Sequence, residues 1–452
     1  MMKFFKAQQV FDFVQPDWSK DPILYMIHQL LDYFPEIINI AACRFPNLDQ
    51  HNHIGKTGLT LEQVVRCAIY KQKKKLKYRE LSLHTYDSKM GIVFMKMDNG
   101  KGFQFQTLQE NVSKITDDIL YEINIAICKL AMELDVDDGK RIRTDSTVIQ
   151  SNIHYPTNCS LLWDCIRVSG RILKKASYLF NEIKVTNYQK SAKKLNYQIV
   201  NTKSQEKRIP LFKKMLRKQN KHIKQAEFAI DYLSQLNITN PDIEKERTNY
   251  LVQLQQLLPK MKQIYNVAYR KEILDEKIPI EDKIFSIFET HTDCITKGKR
   301  KSVFGHKINL TSGKSTLIFD VIMERGNPSD KDHFMKTLNN VAQNYNLVPR
   351  DVATDGGYAS FKNLIAAKQL GVKNIVFTKS KGKLKNIASS KKMETMLKKW
   401  RSGIEAIISN YKRGLDASRC IWKGYPAFQC FVMWNIITFN LVVIAKAILE
   451  KF

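Results

Sequence analysis

The fold of this chain is decided by the stretch Arg141-Ile142-Arg143-Thr144-Asp145-Ser146-Thr147-Val148-Ile149. Polar and apolar residues alternate along it and β-branched residues are frequent, which is the pattern of a half-buried β-strand. The strand carries a single carboxylate, Asp145. One acid on a strand is most simply a surface or turn residue, so its interpretation depends on where the other acids of the chain fall.

Two further carboxylates, Asp355 and Glu405, fall at related places in the predicted elements. Asp355 ends a short strand, 351–355, and is followed by Gly356-Gly357, which lets backbone approach closely. Glu405 lies on a predicted helix after the strand 374–378. By itself each acid is best interpreted as a cap or turn residue. Together they form the layout of an RNase H-like core: an acid on a first strand, an acid ending a later strand and an acid on the following helix.

The remaining elements of this core are predicted from the same periodicities. They are strands at 303–310 and 315–323 and helices at 329–343 and 360–369. The resulting order is β-β-β-α-β-α-β-α, interrupted after the first strand. The predicted fold class is therefore α/β, with an RNase H-like core in which helices flank a mixed sheet. An all-helical N-terminal region precedes this core, and a long helical insertion follows its first strand.

Composition and periodicity divide the chain into four regions, which are 1–135, 136–158, 159–288 and 289–452. The first is helical, and two helices that start at a capping box at Thr60 and near Lys77 suggest a DNA-binding region. The second and fourth hold the core. The third is predicted to form an inserted, coiled-coil-like hairpin. Its basic first half favours DNA contact and its apolar stripe favours dimerisation, while a spacer whose stripe joins its own arms is an equally good interpretation.

The predicted helix around Glu405 carries two cations on the same face as that acid. Arg401, Glu405 and Lys412 are separated by four and seven residues. At 3.6 residues per turn their side chains project within about 40° of one another. An ordinary i,i+4 ion pair contributes only a few tenths of a kcal/mol. The alternative interpretation is a metal-binding Glu405 flanked by two phosphate-binding cations.

At these residues the chain resembles the DDE transposases of insertion sequences, and among them the ISNCY group. Arg401, Glu405 and Lys412 match the Arg-Glu-Lys part of the signature around the catalytic Glu, while Lys398 stands where a tyrosine is usual. The resemblance covers roughly residues 30–450, and its further segments are Thr144–Thr147, Asn152–Pro156, Phe304–Lys307, Gly326–Pro328, Thr354–Tyr358 and Arg419–Gly424.

The resemblance implies metal-dependent hydrolysis of DNA at transposon ends, followed by attack of the freed 3′-OH on target DNA. It identifies Asp145, Asp355 and Glu405 as catalytic acids and metal ligands. Carboxylates are the hard ligands that Mg²⁺ prefers, and two such ions about 3.5–4 Å apart can act on both the attacking and the leaving oxygen. Mn²⁺ is expected to substitute for Mg²⁺.

The implied partners are terminal inverted repeats, target DNA and a second copy of the chain, as a homodimer on DNA. Two alternatives stay open. One is an RNase H-like nuclease or resolvase that does not join DNA. The other is an inactive transposase-derived protein that only binds DNA.

The charge of the chain points to a polyanion as partner. Its 452 residues carry a net charge of +29. Between Arg171 and Lys224 there are 16 Lys and Arg against two acids, and between Lys368 and Arg401 there are 11 against one. Such runs argue against an evenly basic surface or adaptation to a membrane and favour phosphate binding. The candidate DNA contacts are Arg401, Lys412, His154, Lys379, Lys381 and Lys383, although a lone histidine is more often structural.

Cysteine usage and hydropathy indicate the compartment. The eight cysteines include no Cys-x-x-Cys pair, which argues against structural zinc and favours a reduced cytosolic setting. The resemblance to insertion-sequence transposases implies the cytoplasm of a bacterium, at its nucleoid. No secretion signal is predicted at the N-terminus. Residues 424–445 carry no charge and are formally long enough to span a membrane. Polar residues interrupt this run, so a buried helix packed on the sheet is predicted, and no membrane partner.

Overall fold

The computed structural model describes residues 16–44, 58–97, 102–296, 301–378 and 384–451. The chain forms two compact units. The first comprises residues 1–150 and 306–452, and the second comprises residues 151–305. The second unit therefore includes the predicted insertion, 159–288, together with residues on both sides of it.

The N-terminal part of the first unit is helical. Its helices are α1 (Pro22–Tyr33), α2 (Glu36–Cys43), α3 (Leu61–Lys73), α4 (Tyr78–His84), α5 (Lys89–Phe94), α6 (Phe105–Val112) and α7 (Asp117–Glu133). The predicted capping box is confirmed, because the Gln63 N–H donates to Thr60 Oγ1 over 3.1 Å and the Thr60 N–H donates to Gln63 Oε1 over 2.9 Å. Residues 61–72 of α3 are all buried, so this helix forms the centre of the helical layer.

The basic turn after α3 uses lysines inside the first unit. Lys74 Nζ donates to Asp21, the residue that caps α1, over 2.8 Å. Lys75 Nζ donates to the backbone carbonyl of Arg413 over 3.0 Å. These bonds tie the turn to its neighbours in the fold. The DNA-binding role of the N-terminal region stays a prediction, and these two lysines do not add to it.

Strand β1 (Arg141–Gln150) comes next, and the second unit follows it. The described residues of that unit form β2 (Asp293–Ile295) and four helices, which are α8 (Asn158–Leu179), α9 (Gln189–Asn201), α10 (Gln205–Gln235) and α11 (Pro241–Glu272). Helix α8 packs against the other three. The two-armed hairpin expected from the sequence is therefore a bundle of four helices. Residues 202–204 interrupt the helix between α9 and α10. Pro210 and Pro259 are accommodated inside α10 and α11.

The apolar stripe of α11 is buried inside the second unit. Leu257, Met261 and Ile264 join Phe212 of α10 and Leu162 of α8 in one cluster. Each of these five side chains is at most 6 % exposed. The stripe thus stabilises the unit's own fold, as in the spacer interpretation, and does not form an exposed surface for dimerisation.

The core of the first unit is a mixed sheet flanked by helices. Its further elements are β3 (Val303–Ser312), β4 (Ile318–Met323), α12 (Asp330–Tyr345), β5 (Asp351–Asp355), α13 (Phe361–Leu370), β6 (Asn374–Thr378), α14 (Lys391–Arg401), α15 (Ile404–Gly414) and α16 (Tyr425–Leu449). Within the first unit the strand order is β3-β1-β5-β6, with β4 paired to β3. Residues 303–305 of β3 belong to the second unit, where they pair with β2. Strands β1, β5 and β6 are parallel, whereas β3 and β4 are antiparallel.

The predicted strand boundaries hold closely, with one exception. Strands β5 and β6 occupy the predicted residues, but β4 begins at Ile318 instead of Ser315. The N–H and the Oγ of Ser315 both donate to Asp137 Oδ2, over 2.6 and 2.5 Å. This buried carboxylate holds residues 313–317 in a turn, a long-range contact that the alternating pattern does not contain.

Helix α16 contains the long apolar run near the C-terminus. Among the described residues it is the one helix long and apolar enough to cross a membrane, judged by length and composition alone. However, 67 % of its most apolar window is buried inside the protein. Asn440 of α16 accepts from the Ile318 N–H over 2.8 Å and donates to the Ile318 carbonyl over 2.9 Å. Burial and pairing of this polar residue with β4 favour the predicted core helix.

A buried acid of β4 should make stability depend on pH. Asp320 is fully buried, and burial raises its pKa to about 6, although hydrogen bonds from Tyr121 and Asn340 oppose the shift. A carboxyl whose pKa is raised on folding stabilises the protein below pH 4, and this contribution is lost as the pH rises through about 6. We expect wild type to lose about 2–3 kcal/mol of unfolding free energy relative to Asp320→Asn between pH 4 and 7. Urea unfolding of both proteins at the two pH values measures this change. An equal change in unfolding free energy for wild type and Asp320→Asn would contradict the prediction.

Candidate active site

Three carboxylates of the first unit converge on the guanidinium group of Arg401. Its Nη2 lies 2.7 Å from Asp145 Oδ2 and 3.8 Å from Asp355 Oδ2. Its Nη1 lies 3.4 Å from Glu405 Oε1. These are the three acids predicted to act together. The fold brings them to one cation although the whole second unit separates Asp145 from the other two in the sequence.

The register of the sheet explains why the two aspartates are neighbours. Strands β1 and β5 are parallel, and Thr144 is paired with Thr354. Asp145 and Asp355 are the next residues on each strand, so they lie side by side on the same face of the sheet. The side chain of Asp145 is 19 % exposed and that of Asp355 is 43 % exposed. The pair is therefore partly screened from water and still open to a ligand.

Hydrogen bonds orient both aspartates. The Ser146 N–H donates to Asp145 Oδ1 and the Gly356 N–H donates to Asp355 Oδ1, each over 2.8 Å. Thr378, the last residue of β6, donates its Oγ1 proton to Asp355 Oδ1 over 3.3 Å. In each carboxylate Oδ1 is held by a neighbouring group, while Oδ2 faces the guanidinium of Arg401. The strand ends thus fix the direction in which the two acids present their second oxygen.

The segment around Glu405 is not the continuous helix predicted over 400–412. Helix α14 ends at Arg401 and α15 begins at Ile404. Gly403 lies at the break, where a Cβ would collide with Nη1 of Arg143. The bend leaves Arg401 8 % exposed at the end of one helix, and Glu405 in the first turn of the next. Glu405 is 71 % exposed, the most accessible of the three acids.

Arg143 is a structural residue of this site that the sequence patterns did not single out. Its Nη1 donates to the Trp400 carbonyl over 2.6 Å, and its guanidinium lies 4.5 Å from the centroid of the Trp400 ring. Burial lowers its pKa to about 10, so it stays charged at neutral pH. Arg143 attaches the end of α14 to β1 and so positions Arg401. The sequence could have indicated this role, because Arg143 lies two residues from Asp145 and therefore on the same face of β1.

The predicted DNA contact Lys412 lies on α15 and bonds to the sheet. Its Nζ donates to the carbonyl of Val148 on β1 over 2.6 Å. This bond connects α15 to the strand that carries Asp145. Lys412 therefore has a structural contact in the protein, and its contact with phosphate stays a prediction.

The other predicted DNA contacts belong to the second unit or lie outside the described residues. His154 belongs to the second unit, where its Nε2 lies 3.4 Å from Asp164 Oδ2. Asp164 also accepts from Arg167 over 2.7 Å. His154 thus has a neighbouring carboxylate in the protein, and its contact with DNA stays a prediction. Lys379, Lys381 and Lys383 lie outside the described residues.

The donor chemistry of the cluster fits divalent metal ions. Within the described parts of the chain, no group of three or more His, Cys, Asp or Glu residues is already arranged to hold a metal. The three acids instead share Arg401, so the space between their carboxylates is occupied by a positively charged group. Carboxylate oxygens are the ligands that Mg²⁺ and Mn²⁺ prefer. Asp145, Asp355 and Glu405 therefore suit such ions, with the exposed Glu405 best able to change rotamer.

Comparison with known proteins identifies one domain. Residues 286–441 match the family model described as the transposase DDE domain. The match supports a DDE transposase. It includes Asp355, Arg401 and Glu405, whereas Asp145 and most of the second unit precede it. No curated protein and no solved structure is significantly similar to the chain.

Proposed function

We propose that this chain is a DDE transposase that cleaves DNA at the terminal inverted repeats of an insertion sequence and joins the freed 3′ ends to target DNA. The observation that carries the proposal is the convergence of Asp145, Asp355 and Glu405 on one cation at the end of a parallel strand pair. The domain match and the net charge of +29 support the same reaction class.

The proposed core is RNase H-like. The observed order β1, β3, β4, α12, β5, α13, β6, α14 is the order of strands and helices expected for it, with the second unit following β1. The acids lie on β1, at the end of β5 and on the helix α15. This distribution supports a core of the predicted type. The ISNCY group is the proposed subfamily, on the sequence motifs alone.

Asp145, Asp355 and Glu405 are proposed to hold two Mg²⁺ ions, for which Mn²⁺ can substitute, with Asp145 shared between them. Such ions supply an activated water and stabilise the leaving 3′ oxygen of a phosphodiester. The protein contributes orientation, because the N–H groups of Ser146 and Gly356 fix one oxygen of each aspartate. Two of the three ligands are thereby set before DNA arrives, which lowers the entropic cost of assembling the site.

Arg401 is proposed to hold the acids together before metal and DNA bind. Three carboxylates in one place repel one another, and a single guanidinium with two nitrogens in contact with them offsets part of that repulsion. The planar fork of arginine suits several oxygens at once, which an ammonium group cannot match. A phosphate contact of Arg401 belongs to the DNA complex and remains a prediction from the sequence, as do those of His154, Lys379, Lys381 and Lys383.

The Lys412 contact can be tested by salt dependence. We expect Lys412→Ala to weaken duplex DNA binding and to lower the slope of log K against log salt by about 0.9, the loss of one phosphate contact. Fluorescence anisotropy over a series of salt concentrations measures the slope, and Arg413→Ala on the same helix serves as the control. An unchanged slope in Lys412→Ala would show that this lysine does not contact phosphate, and its bond to Val148 would then indicate a structural role.

Three further proposals concern the assembly and its surroundings. The transposase acts as a homodimer that pairs two transposon ends, it works in the bacterial cytoplasm at the nucleoid, and no membrane takes part. The buried α16 and the basic runs around residues 171–224 and 368–401 support a DNA-bound protein.

The proposal is tested by strand cleavage and joining on DNA that carries the element's own ends, with Mg²⁺ and with EDTA. Nicked and joined products in Mg²⁺ but not in EDTA are the expected result. Cleavage without joining would identify a nuclease or resolvase. Binding without chemistry in both Mg²⁺ and Mn²⁺ would identify a DNA-binding protein derived from a transposase.

A further inference from the structure

A groove in the second unit collects cations without acids. It lies between α9 and α10 and encloses about 400 Å³. Its lining residues are Tyr188, Ser191, Lys194, Leu195, Gln198, Lys214, Arg217, Lys218 and Lys221. Five of these nine side chains are cations, and none is an acid. The groove belongs to the basic stretch 171–224 and lies outside the matched transposase domain.

The spacing of the cations along α10 gives them a common direction. Lys214, Arg217, Lys218 and Lys221 stand at i, i+3, i+4 and i+7, which is one face of an α-helix. Lys194 of α9 completes the set from the facing helix. All but Lys218 are exposed, and Lys218 is half-buried. Within the described residues none of the five forms an ion pair with a carboxylate, so their charge is not compensated by the fold.

An aromatic ring holds two of these lysines over the groove. The Nζ of Lys218 lies 4.7 Å from the centroid of the Tyr188 ring, and the Nζ of Lys221 lies 5.5 Å from it. Both ammonium groups are thereby kept near one place, which reduces the side-chain entropy that a ligand would have to remove. The ring is occupied by the lysines, so its role is to present charge and not to stack on a base.

The arrangement is unfavourable for the protein alone. Like charges at i,i+4 destabilise a helix, and α10 contains two such pairs in the groove, Lys214 with Lys218 and Arg217 with Lys221. The second unit buries its apolar residues in two clusters, one of which includes Leu195 at the floor of the groove, and none of the five cations belongs to either cluster. A cost of this kind is offset when a polyanion binds.

We propose that the groove between α9 and α10 is a second DNA-binding site, which holds the phosphodiester backbone of a duplex independently of the three acids. From Lys214 to Lys221 the helix rises about 10 Å. That length of duplex carries about six phosphates, and the same length of one strand carries about three. The higher density of phosphates on a duplex therefore matches four cations on α10 and a fifth on α9 better than one extended strand does.

The test measures binding of the full-length protein to a random-sequence DNA duplex in EDTA, so that it does not depend on the proposed chemistry. The groove variant carries Lys214→Gln, Arg217→Gln, Lys218→Gln and Lys221→Gln. We expect it to lower the slope of log K against log salt by about 3 to 4 and to bind at least tenfold more weakly near physiological salt. Its thermal stability should be unchanged or higher, because repulsion within α10 is removed.

The matched control removes the same charge from the same unit. It carries Lys175→Gln, Lys184→Gln, Lys224→Gln and Lys245→Gln, four exposed lysines that do not line the groove. The control should retain most of the wild-type slope. Equal slopes for the two variants would overturn the site, because net charge alone would then explain the effect. Loss of binding to single-stranded DNA or to RNA, with duplex binding intact, would overturn the assignment to a duplex.

Failure of this proposal and failure of the transposase proposal are distinguishable. If the protein cleaves and joins the element's ends but the groove variant has an unchanged salt slope, the DNA-binding groove is rejected and the transposase proposal is retained. If the groove variant has a reduced salt slope but the wild-type protein does not cleave DNA, the groove is retained and the transposase proposal is rejected.

Discussion

Asp145→Asn is expected to reduce DNA cleavage in Mg²⁺ by more than about a hundredfold while DNA binding in EDTA stays unchanged. Substitution of groups that merely support metal ligands typically costs 10–100-fold, so loss of a proposed ligand itself should exceed that range. The amide keeps the size of the carboxylate, but its single oxygen can accept from only one of the two donors that Asp145 binds, Ser146 and Arg401. Unfolding by urea, measured in parallel, therefore has to separate the loss of charge from a change in stability.

The control for Asp145→Asn is Asp87→Asn, which removes the same charge from an exposed acid of the first unit. It should cleave like wild type. Cleavage and joining are measured on transposon-end DNA with Mg²⁺, and unfolding by urea is measured in parallel. An Asp145→Asn protein that still cleaves within about tenfold of wild type would remove Asp145 from the site. Asp355→Asn and Glu405→Gln are expected to behave as Asp145→Asn does.

Arg401→Met is expected to lower the free energy of unfolding in EDTA by about 2–3 kcal/mol. The methionine keeps the apolar stem but leaves Asp145, Asp355 and Glu405 without their shared cation. Removing one partner of a buried ion pair typically costs about 3–5 kcal/mol, and the partial exposure of these acids reduces that figure. Mg²⁺ should restore part of the loss, because a ligand that binds only the folded state stabilises it by mass action.

A double variant separates this effect from a general loss of packing. In Arg401→Met with Asp145→Asn, the carboxylate nearest to the lost guanidinium is absent and two others remain, so the combined destabilisation should be smaller than the sum of the two single effects. Arg413→Met is the matched control, because Arg413 is exposed on α15 and does not contact the acids. Strict additivity of the two substitutions, measured by urea unfolding in EDTA, would contradict the role of Arg401 as the shared cation.

The strands of the core could be read from the sequence because their pattern is local. Alternation indicated the first strand around Asp145, and short runs bounded by turn residues placed β5 and β6 at the observed residues. The first four residues of β5 and of β6 are buried, so these two strands do not alternate, and their bounds follow from the glycine and cap residues around them. The same locality explains the error at β4, where a carboxylate on a distant segment, Asp137, turns residues 313–317.

The insertion was harder to predict, since helical periodicity does not state which helices pack together. The stripe of α11 could face a second copy, a partner helix or its own unit. Only the tertiary structure shows that α8 and α10 cover it. The basic face of α10 was visible as a charge excess, but its concentration in one groove depends on how α9 lies against α10.

The sequence by itself determined which groups are candidates for the chemistry: three carboxylates at a strand, a strand end and a helix, and a surplus of cations that suits a polyanion. Residue type and local period are enough for that. The tertiary structure alone decided that Arg401 stands between the acids, because Arg143 from β1 and the glycine at 403 break the predicted helix there. Such contacts join residues far apart in the chain. A local sequence pattern does not indicate which distant residues will pack together, so these contacts could not be predicted from it.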